Sequence, residues 1–286
     1  MTSMQTDTGI FTFATPTEPF LLRSGESLPS VDVAYETYGE LNDARDNAVL
    51  VFHALTGSQH AAGFTERVAA ADGRWTEEVQ IGWWDGFIGP GKAIDTDELF
   101  VVRATVLGGC YGSTGPASTN PATGRPYGSS FPSVSFADMV DAQLMLLDHL
   151  GIGRVRAALG GSVGGGRAIA LATRYPDRVE VVIPSASGLE VTELQIRHHF
   201  EQIAAIVADP NFRGGDYYEG DPPNDGLRLA RMIGHKTFVS LSALAERARS
   251  EVASDRGPDD YHLSNSLESY MWHQGSKFVD RFDANS

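Results

Sequence analysis

Cysteine occurs once in the 286 residues, at Cys110, and lysine only at Lys92, Lys236 and Lys277. A single cysteine excludes an internal disulfide and fits a reducing compartment, so the expected location is the cytoplasm. Basic residues number 22 against 37 acidic ones, and the formal charge of −15 comes with no compensating basic stripe. That excludes nucleic acid from the expected partners; a surface so acidic and hydrated is one that halophiles use. Long apolar runs are missing too. None approaches the roughly 20 residues needed to span a bilayer, so no membrane partner is expected. Met1 to Gly9 lacks the basic start and apolar stretch of a secretory signal. There is no internal repeat and no low-complexity linker. What is present is a hydrophobic content of 42%, enough for one large core or for a domain with an insertion.

The informative stretch is residues 155–176, VRAALGGSVGGGRAIALATRYP. Gly160-Gly161-Ser162-Val163-Gly164 fits G-x-S-x-G, the nucleophile elbow, in which a serine sits on a cramped strand-to-helix turn with its hydroxyl exposed. Val155 to Leu159 suits a buried strand, and Arg167 to Tyr175 reads as a helix stopped before Pro176. The competing reading is a glycine-rich turn that binds phosphate or nothing. Gly165 and Gly166 each cost about 1 kcal/mol relative to Ala inside a helix, which predicts tight packing there.

Around this stretch, strand-like and helix-like segments alternate. Val31 to Tyr38 alternates with period two, while Ala48 to Phe52 and Phe100 to Thr105 are short buried-strand runs. Residues 135–150 predict a helix, with Ser135 and Asp138 as a capping box and Gly151 as its stop. A further strand is expected over Val179 to Ile183. The alternation predicts an α/β fold with a mostly parallel sheet and helices on both faces. Beyond Gly188 the pattern turns helical: Leu189 to Ala208, Gly226 to Phe238, Leu241 to Val252 and Leu263 to Phe282. The expected division is a core over 1–185 and a helical lid region over 186–286. In elbow enzymes the triad acid and histidine follow the serine on loops after later strands, and no such strand is legible here, so the last strands of the core are expected beyond Ser286.

Many words along the chain carry a resemblance. They include His53-Ala54-Leu55-Thr56-Gly57, Gly82-Trp83-Trp84-Asp85, Gly89-Pro90-Gly91-Lys92, Leu107-Gly108-Gly109-Cys110 and Gly112-Ser113-Thr114-Gly115-Pro116. Gly214-Gly215-Asp216-Tyr217-Tyr218, Ala230 to His235 and Phe278 to Ser286 continue the series. In this order they resemble the homoserine O-acyltransferases, α/β-hydrolase-fold enzymes of methionine biosynthesis, over nearly the whole chain. The resemblance implies acyl transfer, with acetyl expected, from acyl-CoA to the hydroxyl of L-homoserine. It implies Ser162 as nucleophile, the backbone N–H groups of Leu55 and Val163 as oxyanion hole, Arg231 as the binder of the homoserine carboxylate, and Thr56 as a pocket residue. Acyl-CoA enters as co-substrate, and no cofactor or metal is expected; a homodimer is.

The chain departs from the family pattern at several points. Val163 stands where methionine is common, and Phe238 where tyrosine often follows the arginine by seven residues. The family's catalytic aspartate and histidine, with a substrate-binding aspartate beside the histidine, lie in a C-terminal portion that has no counterpart here. Those roles are assigned to no residue, and the 286 residues by themselves are expected to be inactive. A succinyl- or serine-specific relative and a catalytically silent fragment acting as an interaction module are the alternatives. Other chemistry-bearing residues have ordinary readings. Cys110 is a small packed thiol, and His53 orients its loop rather than acting as base. Adjacent His198 and His199 point to different faces of a helix, and His235 lines a pocket or packs. Trp83-Trp84 and Tyr217-Tyr218 read as core or cleft wall.

Overall fold

The apolar runs become neighbouring strands of a single sheet in the computed structural model, which describes residues 6–71, 73–250, 257–258 and 261–286. The strands are β1 (Gly9–Phe13), β2 (Val31–Tyr38), β3 (Ala48–Phe52), β4 (Phe100–Ala104), β5 (Val155–Gly161) and β6 (Val179–Ser185). Their spatial order is β1-β2-β4-β3-β5-β6. β3 runs parallel to β4 and β5, and β5 parallel to β6, whereas β1 and β2 join as an antiparallel flank. From β3 the chain moves outward to β4 and then crosses to β5 on the other side. This reversal of direction opens a crevice beyond the carboxyl ends of β3 and β5, where open α/β sheets bind ligands.

Period-two alternation divides the sheet's side chains between two cores. Leu50, Phe52, Val102, Ala104 and Ala158 join Val140, Leu144 and Leu147 of helix α1 (Phe136–His149) and Ala168 and Leu171 of helix α2 (Val163–Arg174). Val49, Val51 and Val101, on the other face, meet Ala61, Ala62 and Ile88 from the long segment between β3 and β4. The Ser135–Asp138 capping box forms as expected, with Asp138 N–H donating to Ser135 Oγ and Ser135 N–H donating to Asp138 Oδ2 at 2.8 Å.

α2 starts at Val163, four residues before the start the sequence suggests, so Gly165 and Gly166 are already helical. The packing predicted for them is present. A Cβ on Gly166 would lie 2.6 Å from the Phe136 ring of α1, and one on Gly165 would lie 2.0 Å from Ser187 Oγ. β6 ends the sheet, with Val181 and Ile183 each about half exposed.

The chain separates into two compact units, residues 1–189 with Ser286, and Glu190–Asn285. The second holds α3 (Glu193–Ala208), α4 (Asn224–Phe238), α5 (Leu241–Ser250) and α6 (Ser266–Val279). α3 begins at Glu193 rather than Leu189 because Thr192 and Gln195 form a capping box. α6 begins after the Asn265–Glu268 box. The predicted helix over Leu241 to Val252 is observed to Ser250, and its last residues lie outside the described ones. Leu244, Ala248 and Tyr270 form a small core between α5 and α6.

Candidate active site

Ser162 sits between the end of β5 and the first residue of α2 with φ 55° and ψ −122°. Positive φ in a serine of this kind is a sparsely populated conformation, costing roughly 1–3 kcal/mol, that the surrounding structure must enforce. The enforcement is visible. Ser162 N–H donates to Ser185 O of β6 at 2.9 Å, and Ser162 O accepts from Gly165 N–H at 3.0 Å and from Ser187 Oγ–H at 2.6 Å. Glycines two before and two after remove the remaining obstacles. A Cβ on Gly160 would lie 2.6 Å from the Gly164 carbonyl carbon, and one on Gly164 would lie 2.6 Å from Phe52 O and 2.8 Å from His53 O. The Ser162 turn is therefore pressed against the end of β3, and the Ser162 side chain is left exposed. Gly164→Ala is expected to destabilise the protein by about 1–3 kcal/mol through overpacking and to move the β3 loop. Equilibrium urea unfolding checks the first effect and turnover the second.

The facing loop, 53–57, leaves β3 at the register where Phe52 opposes Gly160 of β5. Among the described residues neither Leu55 N–H nor Val163 N–H donates to a protein acceptor. They remain as donors at the loop and at the N-terminus of α2, where the helix dipole also favours developing negative charge. His53 is buried and locked. Its Nε2 accepts from Val106 N–H at 3.0 Å, which leaves Nδ1–H to donate to Ala54 O at 2.6 Å. Burial, with the positive charges of Arg167 and Arg103, holds its pKa well below the ordinary imidazole value. A neutral imidazole with both nitrogens engaged orients its loop and is not a general base, as the sequence suggests.

Both arginines are fully buried. Arg167 of α2 donates to His53 O, and its guanidinium lies 5.4 Å from the Phe52 ring centroid. Arg103 of β4 donates to Ser58 O and lies 4.2 Å from the Trp83 ring centroid. Burial brings the Arg167 pKa down to about 9. Sequence reading missed both. The signal for Arg103 was a charge inside the apolar run Phe100 to Ala104; Arg167 gave none.

In the second unit Arg231 lies on α4, with its guanidinium carbon 4.7 Å from the Phe278 ring centroid and 5.3 Å from that of Phe238. Both rings lie within cation–π range of the guanidinium and hold it at this position on α4. Thr56 is half-buried beside Leu55, which is 58% exposed. His235 is buried against Tyr270, with 3.0 Å between His235 Nε2 and Tyr270 Oη. His198 pairs with Glu201 one turn away, and Cys110 is buried.

A model described as the alpha/beta hydrolase fold matches residues 47–286. The homoserine O-acetyltransferase of Solidesulfovibrio magneticus is 46% identical over 279 residues, which cover 96% of this chain and 68% of that protein. The chain belongs to the homoserine O-acyltransferase family. The homoserine O-succinyltransferase of an Azoarcus species is 48% identical over 270 residues, covering 94% of this chain and 70% of that protein. The crystal structure of homoserine O-acetyltransferase from Bacillus anthracis superposes with a TM-score of 0.83 at 29% identity, covering 99% of this chain and 74% of that one.

Two family words turn out to be halves of one contact. Tyr217 and Tyr218 donate their hydroxyls to Asp283 Oδ1 and Oδ2 at 2.7 and 2.8 Å, and Asn285 Nδ2–H donates to Gly215 O at 2.8 Å. Burial and the Asp283 charge push both tyrosine pKa values far above normal, so they stay protonated donors. The tyrosine pair is thus a clasp for residues 283–285. Phe238, where this family often has tyrosine, contributes its ring to Arg231 without a hydroxyl. Val163 in place of methionine leaves the backbone donor unchanged.

Proposed function

We propose that the protein transfers an acyl group, acetyl, from acyl-CoA to the hydroxyl of L-homoserine through an acyl-serine at Ser162, as a step of methionine biosynthesis. The observation that carries the reading is the strained, exposed Ser162 facing a loop whose Leu55 N–H is uncommitted, in a chain of this family. In the first half-reaction Ser162 Oγ attacks the thioester carbonyl and its proton passes to a base. The C–S bond breaks, and the CoA sulfur leaves with that proton. In the second, the homoserine hydroxyl attacks the acyl-serine as the same base takes its proton, the bond to Ser162 Oγ breaks, and the base passes that proton to the serine oxygen. Leu55 and Val163 N–H stabilise the oxyanion of each tetrahedral intermediate, where donors fixed in advance gain strength only as charge develops. Thr56 lines the acyl pocket beside them. No cofactor takes part.

The base is none of the histidines in Ser162's own unit. His53 is locked as described, His60 engages Glu36 Oε2 through Nδ1 and Gln80 O through Nε2, each at 2.9 Å, and His149 stacks on Phe11. We place the base and its acid partner outside that unit. The cytoplasm is proposed on the single cysteine, Cys110, and a homodimer on an exposed apolar face of α3. No helix among the described residues is long and apolar enough to cross a membrane. α3 presents Ile196, Phe200, Ile203 and Val207 along one stripe, each more than half exposed.

The donor is tested by competition. With acetyl-CoA and succinyl-CoA at equal concentration, O-acetylhomoserine is expected as the main product; predominance of the succinyl ester would reassign the donor, and transfer of neither would overturn the reading. Arg231 is tested separately. Losing the planar fork in Arg231→Lys is expected to raise KM for homoserine by about 10-fold or more, the scale of a charge-assisted hydrogen bond, with KM for acyl-CoA unchanged. Equal rises for both substrates would mark a structural arginine.

A further inference from the structure

We propose that Arg167 is a positioning residue for the oxyanion hole: its buried guanidinium donates to the His53 carbonyl and so fixes the loop that aims Leu55 N–H at Ser162. The inference rests on the acyl-transfer reading and goes beyond it by assigning a role to a residue that touches neither substrate.

The case begins with an apparent cost. Arg167 is fully buried on α2, and among the described residues its Nε and Nη1 have no partner and no carboxylate neutralises it. A buried guanidinium in that condition is a poor choice for packing, since an apolar side chain of similar volume commonly does as well or better. One polar contact is made, Nη2–H to His53 O, and that carbonyl lies two residues before the oxyanion donor. The carbonyl is reached because Gly164, one turn earlier on the helix, has no side chain to occupy the space against Phe52 O and His53 O.

The same charge acts on the ring of His53. Together with burial and Arg103 it disfavours the imidazolium, so that Nε2 remains an acceptor for Val106 N–H and Nδ1–H remains a donor to Ala54 O. Protonation would set two donors, the ring Nε2–H and Val106 N–H, against each other. Arg167 thereby holds the loop directly through the His53 carbonyl and indirectly through the ring that ties the loop after β3 to the one after β4. Its reach joins the nucleophile helix to the oxyanion loop, the two elements whose relative placement sets the geometry of the tetrahedral intermediate.

The test compares Arg167→Met with Arg167→Gln in the full-length protein. Methionine removes charge and donor at similar volume; it is expected to fold with a Tm equal to or above that of the wild type. Its kcat is expected to fall about 100-fold, the scale of a misplacement of about 1 Å in the site, with KM for homoserine and acyl-CoA unchanged. Glutamine restores a neutral donor to His53 O and is expected to bring kcat back to within about 10-fold of the wild type. Cleavage of p-nitrophenyl acetate reads the same donor without homoserine or CoA. A parallel loss there in Arg167→Met supports the inference even where the wild type transfers nothing to homoserine, a result that would overturn the acyl-transfer reading alone. Folded Arg167→Met with wild-type kcat in both assays overturns the inference alone. Should Arg167→Met fail to fold, Arg167→Leu takes its place: a kcat loss of about 100-fold that Arg167→Gln largely reverses supports the positioning role, and wild-type kcat in folded Arg167→Leu, or no recovery in Arg167→Gln, overturns it.

Discussion

Ser162→Ala is expected to lower kcat for homoserine acylation on the order of 10⁶-fold in the full-length protein, the scale seen when the nucleophile of a serine enzyme is removed. Alanine offers no oxygen to accept the acyl group, and no other hydroxyl stands on the elbow. Ser187, whose hydroxyl reaches the turn, is committed through its Oγ–H to Ser162 O and Ser185 O. The fold should survive because Ser162 Oγ makes no hydrogen bond among the described residues. The bonds that shape the turn come from its backbone. Tm is therefore expected to stay within a few degrees while turnover disappears. A residual rate of about 10³ over water, from oxyanion donors and binding alone, accords with the assignment. Turnover within 10-fold of the wild type contradicts it.

The largest stability effect is expected at Glu36, which has nothing to do with the nucleophile. Its carboxylate is buried to 1% exposure on β2 and accepts from Tyr38 Oη–H at 2.7 Å and Thr8 Oγ1–H at 2.8 Å; His60 Nδ1 lies 2.9 Å from its Oε2. Burial alone would push its pKa up, but the hydrogen bond and charge of His60, joined by Tyr38 and Thr8, outweigh burial and hold it below the ordinary carboxylate value. Glu36→Ala strands His60 and Tyr38 in the interior and is expected to cost about 3–5 kcal/mol in urea unfolding at pH 7, as for a broken buried pair. The sign of the pH dependence follows from the lowered pKa. The contribution is fully present above the unfolded carboxylate value of about 4.3 and is lost as pH falls through the lower folded value. The wild type should therefore lose stability on acidification below about pH 4 more steeply than Glu36→Gln. A cost below about 1 kcal/mol for Glu36→Ala would remove the network from the account of stability.

What the sequence made legible is what local pattern controls. The elbow could be read because G-x-S-x-G between a strand run and a helix run encodes a turn that demands small neighbours, and the structure has the glycines pressed on the end of β3. The buried strands could be read because β3 and β4 are short, β-branched and apolar. β1 was not legible. Gly9 to Phe13 is partly exposed along its length and is held as a strand by its pairing with Val31 to Tyr35, a partner the local pattern does not reveal. Glu36 falls at a position that period-two alternation assigns to the wetter face, and only the fold brings His60 to it. The buried arginines belong to the same class. Arg167 follows three glycines at the start of a helix, where a solvated charge is the ordinary expectation, and its burial depends on how closely α2 approaches the loop after β3.

The central claim is a covalent acyl group on Ser162, and mass spectrometry of the full-length protein mixed with acetyl-CoA in the absence of homoserine tests it most directly. The expected result is a mass increase of one acetyl group that maps to the peptide containing Ser162, forms at the rate of CoA release, is absent in Ser162→Ala, and disappears when homoserine is added as O-acetylhomoserine accumulates. Homoserine acylation that proceeds with no adduct on Ser162 at any time, or with an adduct on another residue, would contradict it.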